Sequence, residues 1–528
     1  MKVLCPTKTG ASRSNAAMLT PVIEMRRNLS SPKAARRSGE IGPYWGMDLD
    51  HDACYRVIAV RDARFDGRLF TGVKTTGIYC RPICPARTPR SKNVAFYPTA
   101  AAAQQAGFRP CLRCRPETAP DLGAWRGASN TVSRALSLIE MGALDDASVD
   151  SLASRVGVGE RQLRRLFHQH LGASPIAVAQ TRRVLLAKQL IHETQLPMTE
   201  IAMAAGFGSL RRFNETFLAL FRRPPTALRR EVSADVSAGV QGEVSLLLRY
   251  RPPYDWPAML GFLRDRAITG VECAAGGVYR RTIGLDGLQG TFAVWSTAGD
   301  ALRATVCFPK LSTLPKIIGR LRRVFGLAAN PDAIAVHLAK DPALEPLVAA
   351  RPGLRVPGAW DGFELAVRAV LGQQITVPTA IRLAAKLVAR FGEPLRNFDP
   401  TLTYVFPVPS ALAGANLSTL GMPQRRAVTL SSVAAAVLAD PHIFAAGRSL
   451  EDAVTQLRTL PGIGEWTAQY IAMRQLREPD AFPAADIGLM RAMADSEGLR
   501  PSASELLARA EQWRPWRAYA AQHLWASV

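Results

Sequence analysis

Residues 80–84 read CRPIC and residues 111–114 read CLRC, and the 26 residues 85–110 separate these two cysteine pairs. Two close pairs of thiols supply four sulfur ligands, the set that holds Zn²⁺ in a tetrahedral site. Zinc binds cysteine as the thiolate, so the sulfurs of such a site carry negative charge. We therefore expect one Zn²⁺ per chain, bound by Cys80, Cys84, Cys111 and Cys114.

The residues around this cluster are basic, and they include Arg81, Arg87, Arg90, Lys92, Arg109, Arg113 and Arg115. A metal-activated thiolate in basic surroundings suits chemistry on nucleic acid. The spacing alone favours a different interpretation, a closed and inert structural zinc site, because most four-cysteine sites are of that kind. The cysteine pattern by itself leaves both interpretations open.

The composition narrows the choice of partner and compartment. The chain has 528 residues with 66 Lys and Arg against 43 Asp and Glu, a formal net charge of +23 that favours nucleic acid over a membrane surface. It contains no apolar run of about 18 residues and no apolar segment typical of a signal peptide. The remaining cysteines, Cys5, Cys54, Cys273 and Cys307, are scattered and suggest no disulfide framework. We expect a cytoplasmic, chromosome-associated protein of three or four domains.

Residues 47–121 contain the cysteine cluster. Residues 1–46 before them are expected to be disordered or to precede a true start at Met47. Short apolar runs at 55–60, 68–75 and 94–97 predict a small sheet around the metal. The motifs TTGIYCRPxC (75–84), NVxFY (93–97) and AGFRPCxRC (106–114) resemble the N-terminal domain of the Ada methylation-response family. This resemblance implies that Cys80 accepts a methyl group from a DNA phosphotriester, and it favours a sacrificial acceptor over an inert zinc site.

Residues 125–233 have a helical pattern with two similar units. SVDSLAxxVGV (148–158) precedes a helix at 160–170, and IAxxAGF (201–207) precedes a helix at 209–221. Together with a joining helix at 175–191 and the tail FRRPPT (221–226), these units resemble the AraC-type helix-turn-helix domain. The resemblance implies that the second helix of each unit enters a major groove. The candidate DNA-contacting residues are Glu160, Arg161, Arg164, Ser209, Arg211, Arg212 and Asn214; the alternative is that these side chains form solvated faces with phosphate contacts only.

A linker is predicted at 234–243. Alternating runs at 244–250, 277–283 and 290–295 predict the strands of an α+β lobe over 244–325, and residues 326–528 have a helical pattern. In LPGIGEWTA (460–468), a helix that ends near Leu457, a turn through Gly462 and Gly464, and a new helix near Trp466 form a helix-hairpin-helix. Amides freed at the start of that helix can bind a DNA phosphate. The predicted fold class is therefore multidomain, mainly α with α+β.

Asp486 lies in FPAADIG (482–488), 22 residues beyond Gly464. Considered alone, this aspartate is more typical of a helix cap. In combination with the hairpin it resembles the catalytic aspartate of helix-hairpin-helix DNA glycosylases. The motifs LRxPGxxDxFExxVRAVLGQ (354–373) and WRPWRxYAxxHLW (513–525) resemble the AlkA-type 3-methyladenine glycosylase in particular.

The AlkA resemblance implies a reaction and a site. An alkylated purine leaves the base stack, and Asp486 stabilises the oxocarbenium-like sugar that remains when the purine departs. Electron-rich rings select the cationic base, and the resemblance assigns them to Trp466, Tyr470 and Trp525. Ordinary aromatic core is the alternative role of these three residues. Contacts to DNA are implied for Gly462, Gly464 and Thr467.

The chain departs from the family patterns at several positions. Strand-cutting relatives have a Lys in the hairpin where this chain has Trp466, so no Schiff base can form there and we expect a monofunctional glycosylase. No cysteine follows Cys307, which excludes the iron–sulfur cluster of some relatives. Gln374 stands where the AlkA type has a Leu wedge, and Ala485 replaces a second Asp. The PCHR motif of the alkylguanine transferase half is absent.

The leading hypothesis is a fused alkylation sensor, transcriptional activator and base-excision glycosylase. It implies double-stranded DNA, both alkylated and promoter DNA, and RNA polymerase as partners of a monomeric chain. One alternative is a transcription factor whose C-terminal half is inactive and only clamps DNA. A second alternative is a glycosylase whose N-terminal half is a zinc-stabilised targeting module.

Overall fold

A computed structural model describes residues 50–119, 130–229, 243–395, 399–445 and 449–528. The expectations for residues 1–46 and for nearly all of the linker at 234–243 lie outside these residues. The described residues between 50 and 528 form one compact unit. Within the described ranges, no helix has both the length and the apolar character required to span a bilayer. The predicted multidomain, mainly α fold with α+β parts is confirmed.

The first domain is a small four-stranded sheet with two helices. The strand order is β3-β1-β2-β4, with β1 antiparallel to β2 and β3 and with β4 parallel to β2. The predicted strands at 68–75 and 94–97 are confirmed by β1 and β3. The elements are α1 (His51–Ala59), β1 (Phe70–Val73), β2 (Ile78–Cys80), β3 (Val94–Tyr97), α2 (Ala100–Gln105) and β4 (Arg109–Pro110).

The strand predicted at 55–60 is wrong, because this segment belongs to helix α1. Asp50 caps the helix by accepting hydrogen bonds from the backbone amides of Asp52 and Ala53. Cys54 and Ile58 are four residues apart and both are buried, which is the spacing of one helical face. The N-cap and this spacing therefore outweigh the apolar run that indicated a strand.

The second domain contains two helix-turn-helix units joined by a long helix, as predicted. The serines at 148, 174 and 209 cap three of its helices through their hydroxyls. Asp145 accepts hydrogen bonds from Arg182 (2.9 Å) and Arg183 (2.8 Å) and so fixes the first unit to the joining helix. The helices are α3 (Asn130–Glu140), α4 (Val149–Arg155), α5 (Glu160–Leu171), α6 (Pro175–Glu193), α7 (Met198–Ala204) and α8 (Leu210–Phe221).

An antiparallel five-stranded sheet of order β5-β9-β8-β7-β6 follows, and it confirms the three strands predicted from alternation. Val244, Leu246 and Leu248 of β5 share one hydrophobic core with residues of α6, α7 and α8. The sheet and the second helix-turn-helix unit are therefore packed together. The elements are β5 (Glu243–Arg249), α9 (Trp256–Arg264), β6 (Glu272–Ala275), β7 (Val278–Leu285), β8 (Leu288–Thr297), β9 (Ala301–Cys307) and α10 (Leu314–Val324).

The last part of the chain is helical and has its own core. A short π-helix, Ala472–Leu476, directly follows α18. The elements are α11 (Pro331–Leu338), α12 (Glu345–Ala350), α13 (Gly362–Leu371), α14 (Val377–Phe391), β10 (Glu393–Pro394), β11 (Tyr404–Val405), α15 (Pro409–Ala413), α16 (Gln424–Ala439), α17 (Leu450–Arg458), α18 (Glu465–Ile471), α19 (Ile487–Ala492), α20 (Ala503–Ala510) and α21 (Arg517–Trp525).

Three buried charged residues, Glu272, Arg281 and Glu364, and the partly buried Arg368 join the five-stranded sheet to α13. Arg281 contacts Glu364 at 2.7 Å and Glu272 at 3.3 Å, and Arg368 contacts Glu364 at 2.7 Å. Burial alone would raise the pKa of Glu272, but Arg368 and Arg281 outweigh burial and lower the pKa to about 2. Two carboxylates and two guanidinium groups compensate one another, so the cluster is neutral as a whole.

Removing one charge of this cluster is expected to destabilise the fold. Glu272→Gln leaves the arginines under-compensated, and breaking a buried ion pair costs about 3–5 kcal/mol. The folded-state pKa of Glu272 lies below its ordinary value of 4.5, so the ionised carboxylate stabilises the fold above that pH and the stabilisation is lost as the pH falls towards 2. Urea unfolding of wild type and variant at several pH values measures both effects.

The matched control is Glu215→Gln, which removes an exposed partner of Arg211. An exposed pair of this kind is screened by solvent and contributes little, so Glu215→Gln should unfold with nearly the same free energy as wild type. Equal unfolding free energies for the two variants would contradict the prediction for Glu272.

Candidate metal centre and active site

The four cysteines come together at one edge of the first sheet. Cys80 ends β2 and Cys111 directly follows β4, and these strands are parallel neighbours. All four sulfur atoms lie within 4.8 Å of one another. Tetrahedral zinc with Zn–S bonds of 2.3 Å requires sulfur atoms about 3.8 Å apart, so the cluster has the size and chemistry of a zinc site.

Backbone amides and an arginine surround the sulfurs. The amide of Arg81 donates to Cys114 Sγ (3.4 Å) and that of Arg113 to Cys111 Sγ (3.3 Å), which favours thiolates. The Arg81 guanidinium donates to Asp66 (2.8 Å from Nε) and is therefore occupied within the domain. Cys111 and Cys114 are buried, whereas Cys80 and Cys84 are partly exposed. Exposure alone therefore does not distinguish Cys80 from Cys84 as the residue that meets a large substrate.

The first domain, which contains the cysteine cluster and is called the metal domain below, is anchored on the long helix α6. Lys188 is fully buried, and its Nζ donates to Glu117 (2.6 Å) and to the carbonyl of Cys111 (3.0 Å). Glu193 at the end of α6 contacts Arg115 (3.0 Å) and accepts from the amide of Leu247 in β5 (3.0 Å). The helix therefore connects the cysteine cluster to the edge strand of the five-stranded sheet.

The predicted DNA-contacting residues of the helix-turn-helix domain have different environments. Arg161, Arg212 and Asn214 are exposed on α5 and α8. Arg164 donates to Glu160 (2.8 Å), and Arg211 donates to Glu215 (2.8 Å). Ser209 caps α8. Among the residues that the structure describes, the side chains of Arg161, Arg212 and Asn214 form no ion pair, whereas those of Arg164, Arg211 and Ser209 have a partner within the protein.

The hairpin connects α17 to α18 through a tight turn. Gly462 has φ +81°, and a Cβ at this position would lie 2.1 Å from Thr429 Oγ1, so only glycine fits. Gly464 is the N-cap of α18 and has no capping side chain. Thr467, for which a contact to DNA is predicted, is only 2% exposed, and its side chain faces the interior of the domain. Its hydroxyl accepts from Gln373 Nε2 (3.1 Å) and supports the hairpin from inside.

Gln374 lies in the loop between α13 and α14. It is exposed and has φ +59°, an uncommon conformation for a residue with a side chain. The preceding Gln373 donates to the carbonyl of Gly462 (3.0 Å) as well as to Thr467. The loop that carries Gln374 is therefore hydrogen-bonded directly to the hairpin.

Asp486 lies in a cleft of about 1950 Å³ between the α+β lobe and the helical domain, lined among others by Phe262, Arg266, Trp466, Tyr470 and Trp525. Its Oδ1 accepts from the amide of Leu489 (3.1 Å) and caps α19, and it also accepts from Trp525 Nε1 (2.8 Å). Its Oδ2 accepts from Trp466 Nε1 (2.8 Å). Asp486 is thus a helix cap and, at the same time, a carboxylate fixed between two indoles in the cleft.

The three predicted aromatic residues come together around this carboxylate. The rings of Trp466 and Tyr470 are stacked, with centroids 5.3 Å apart and an interplanar angle of 8°. Trp525 meets Tyr470 edge to face at 6.4 Å. All three are partly buried and line the cleft. They form a wall beside Asp486 on which a flat ring system could stack.

Two arginines in the cleft were missed by the sequence analysis. The Arg474 guanidinium lies 5.3 Å from the Tyr470 ring and 4.6 Å from the Phe262 ring, and it donates to the Tyr470 hydroxyl. Arg266 lies 4.0 Å from the Phe262 ring. Burial alone would raise the pKa of Tyr470, but Arg474 and Arg266 outweigh burial and lower it. The spacing of Tyr470 and Arg474 is a local signal that could have been used, whereas no local pattern connects Arg266 to the hairpin.

Sequence profiles of four known domains match the chain. They are "Metal binding domain of Ada" over residues 53–117, "Helix-turn-helix domain" over 152–231, "AlkA N-terminal domain" over 245–361 and "HhH-GPD superfamily base excision DNA repair protein" over 367–518.

Several known proteins are similar in sequence to long parts of this chain. "Probable bifunctional transcriptional activator/DNA repair enzyme AlkA" of Mycobacterium tuberculosis is 41% identical over 484 residues, which cover 91% of this chain and 97% of that protein. "DNA-3-methyladenine glycosylase 2" of Escherichia coli K12 is 36% identical over 53% of this chain and 95% of its own length. "Bifunctional transcriptional activator/DNA repair enzyme Ada" of the same strain is 35% identical over 30% of this chain and 43% of its own length.

The fold, the cysteine cluster and the cleft define a DNA-binding repair enzyme that combines an Ada-type zinc domain with a helix-hairpin-helix glycosylase. The chain binds one Zn²⁺ through its four clustered cysteines. It belongs to the family of bifunctional transcriptional activator/DNA repair enzymes of the AlkA type.

Proposed function

We propose that this protein takes methyl groups from DNA phosphotriesters onto Cys80, activates transcription at specific promoters, and hydrolytically excises alkylated purines such as 3-methyladenine. One observation carries the excision proposal: Asp486 is fixed between the indoles of Trp466 and Trp525, in a cleft that the DNA-binding hairpin also lines. Base release from methylated DNA by wild type and Asp486→Asn tests it. An inactive C-terminal clamp would not need such a carboxylate.

The excision step follows from the charges in the cleft. The flipped nucleotide stacks on the wall formed by Trp466, Tyr470 and Trp525. A purine alkylated on a ring nitrogen is cationic and leaves without strong acid catalysis. The Asp486 carboxylate stabilises the positive charge that develops on the sugar and orients the attacking water. Gln374 fills the gap in the duplex, and the amides after Gly462 and Gly464 bind a phosphate.

Methyl transfer at Cys80 is a displacement at carbon. Zn²⁺, when bound, holds the cysteine sulfurs as thiolates. The Cys80 sulfur attacks the methyl carbon of the phosphotriester, a C–S bond forms as the C–O bond breaks, and the electron pair remains on the phosphate oxygen. The DNA becomes an ordinary phosphodiester and Cys80 becomes a thioether. One methyl group consumes one protein molecule.

Methylation of Cys80 is expected to tighten promoter binding several-fold to tens-fold. The thioether carries one negative charge fewer than the thiolate, and removing a unit charge about 4–8 Å from a phosphate is worth about 1–2 kcal/mol. Titration of a duplex selected from a random pool, with unmethylated and methylated protein, measures the change. Cys80→Ala exposed to the same methylated DNA is the control, and equal affinities of the two wild-type forms would reject the mechanism.

We also expect a glycosylase without strand-cutting activity. Trp466 occupies the hairpin position where a nucleophilic lysine would stand, and no lysine is among the described residues that line the cleft. Incubation with methylated DNA and borohydride should therefore give no covalent protein–DNA adduct on a denaturing gel. A trapped adduct would overturn this assignment.

Several finer points belong to the same proposal. The exposed Arg161, Arg212 and Asn214 read bases in two successive major grooves. RNA polymerase is the partner of the activating form, the protein acts as a monomer, and it works at the chromosome in the cytoplasm. The basic charge of the whole chain supports a nucleic-acid partner.

A further inference from the structure

The cleft has charges of opposite sign at its two ends. At one end lies the Asp486 carboxylate with its two indole donors. At the other end, the Phe262 ring lies under both Arg266 (4.0 Å) and Arg474 (4.6 Å). Tyr470 connects the two ends, since it stacks on Trp466 and contacts Arg474. A purine on this wall therefore lies between a carboxylate and two guanidinium groups.

The two arginines differ in the hydrogen bonds that their guanidinium groups make within the protein. Arg474 is buried, and it donates to the carbonyl of Pro357 (3.0 Å) and to the Tyr470 hydroxyl. Arg266 is partly exposed, and its guanidinium makes no hydrogen bond to any residue that the structure describes. A hydrogen bond to its backbone holds Arg266 in place, since Arg368 Nη1 donates to the Arg266 carbonyl (2.9 Å). Arg266 thus lines the cleft with its donors available to a ligand.

This polarity matches the charge separation of one class of substrate. When an uncharged purine leaves, the C1′–N9 bond breaks, its electron pair stays on the purine, and positive charge remains on the sugar. Water then adds to C1′, and the proton it releases neutralises the departed base. A cationic alkylpurine leaves as a neutral base and gains nothing from a nearby cation. A guanidinium beside the base therefore favours uncharged purines and disfavours cationic ones.

We propose that Arg266 is a specificity-determining residue that hydrogen-bonds the departing base and makes the excision of uncharged damaged purines depend on its guanidinium. The purines concerned carry a carbonyl or ring-nitrogen acceptor on the edge that faces Arg266. The proposal rests on the glycosylase function proposed above. It also gives the α+β lobe a direct part in the reaction, because Phe262 and Arg266 belong to that lobe and Asp486 to the helical domain.

Single-turnover excision by the full-length protein tests the proposal with two duplexes, one with hypoxanthine and one with 7-methylguanine. Arg266→Ala is expected to slow hypoxanthine release about 10- to 100-fold, the effect of one charge-assisted hydrogen bond, and to leave 7-methylguanine release unchanged or faster. Arg266→Lys should give an intermediate ratio of the two rates. Arg264→Ala, which removes an exposed arginine of α9, is the matched control and should leave the ratio at the wild-type value.

The ratio of the two rates does not depend on the fraction of folded protein, so a partly unfolded variant still gives an answer. An equal loss on both duplexes, no loss on either, or a wild type that excises only 7-methylguanine would overturn the role of Arg266. A wild type that excises neither base would overturn the proposed glycosylase function itself.

Discussion

Asp486→Asn is expected to lower the rate of 3-methyladenine release by at least about 100-fold, the usual cost of removing one group that stabilises transition-state charge. Asparagine has the same size as aspartate and is an equally good N-cap. Its Oδ1 can keep the hydrogen bonds from the Leu489 amide and Trp525 Nε1. Only the negative charge and the bond from Trp466 are lost, because an amide NH₂ would face the indole N–H. Single-turnover release from methylated duplex DNA measures the effect.

The control for this variant is a second capping aspartate. Asp50 caps α1 in the metal domain, so Asp50→Asn also removes one capping carboxylate but leaves the cleft unchanged. Its excision rate should equal that of wild type. If Asp486→Asn kept the wild-type rate, the carboxylate would be only a cap. If wild type released no base at all, the C-terminal half would be the inactive clamp considered from the sequence.

The features of the fold that depend on neighbouring residues could be predicted from the sequence. The four cysteines, the two helix-turn-helix units and the hairpin all depend on residues close together in the chain, where spacing limits the possible geometry. Helix α1 was mispredicted because its apolar run at 55–60 was read without Asp50, four residues before Cys54. The capping hydrogen bonds from Asp52 and Ala53 to Asp50 decide for a helix.

For Asp486 the sequence offered two roles as alternatives, a helix cap or a catalytic carboxylate. The structure combines the two geometries, because the carboxylate has two oxygens. Oδ1 accepts from the first turn of α19 and from Trp525, and Oδ2 accepts from Trp466. A capping pattern therefore does not argue against a functional carboxylate at a helix start.

Contacts between distant segments could not be predicted from local pattern. Gln373 hydrogen-bonds to Gly462 and Thr467 across about 90 residues of chain, and this bond places the Thr467 side chain inside rather than towards DNA. Arg266 reaches the cleft from the α+β lobe because Arg368 holds its backbone carbonyl. Such contacts depend on how the domains pack against one another. Neither the periodicity of apolar residues nor the spacing of motif residues contains that information.

After incubation with DNA that contains methyl phosphotriesters, Cys80 is expected to carry one methyl group per protein molecule and Cys80→Ala none. The physical reason is that the metal holds the Cys80 sulfur as a thiolate; exposure of the side chain alone would not select it. Cys307 is more exposed than Cys80, but it lies outside the four-sulfur cluster and has no metal to hold it as a thiolate. Mass spectrometry of the cysteine-containing peptides measures the methyl group on each sulfur.

Cys307→Ala is the matched control and should take up as much methyl as wild type. Because Arg81 and Arg113 donate amide hydrogen bonds to Cys114 and Cys111, those two sulfurs are better shielded as nucleophiles than Cys80. Methyl groups spread over several cysteines would therefore indicate unspecific alkylation. An unmodified Cys80 in zinc-loaded protein would support the remaining alternative, in which the metal domain only targets a glycosylase to DNA.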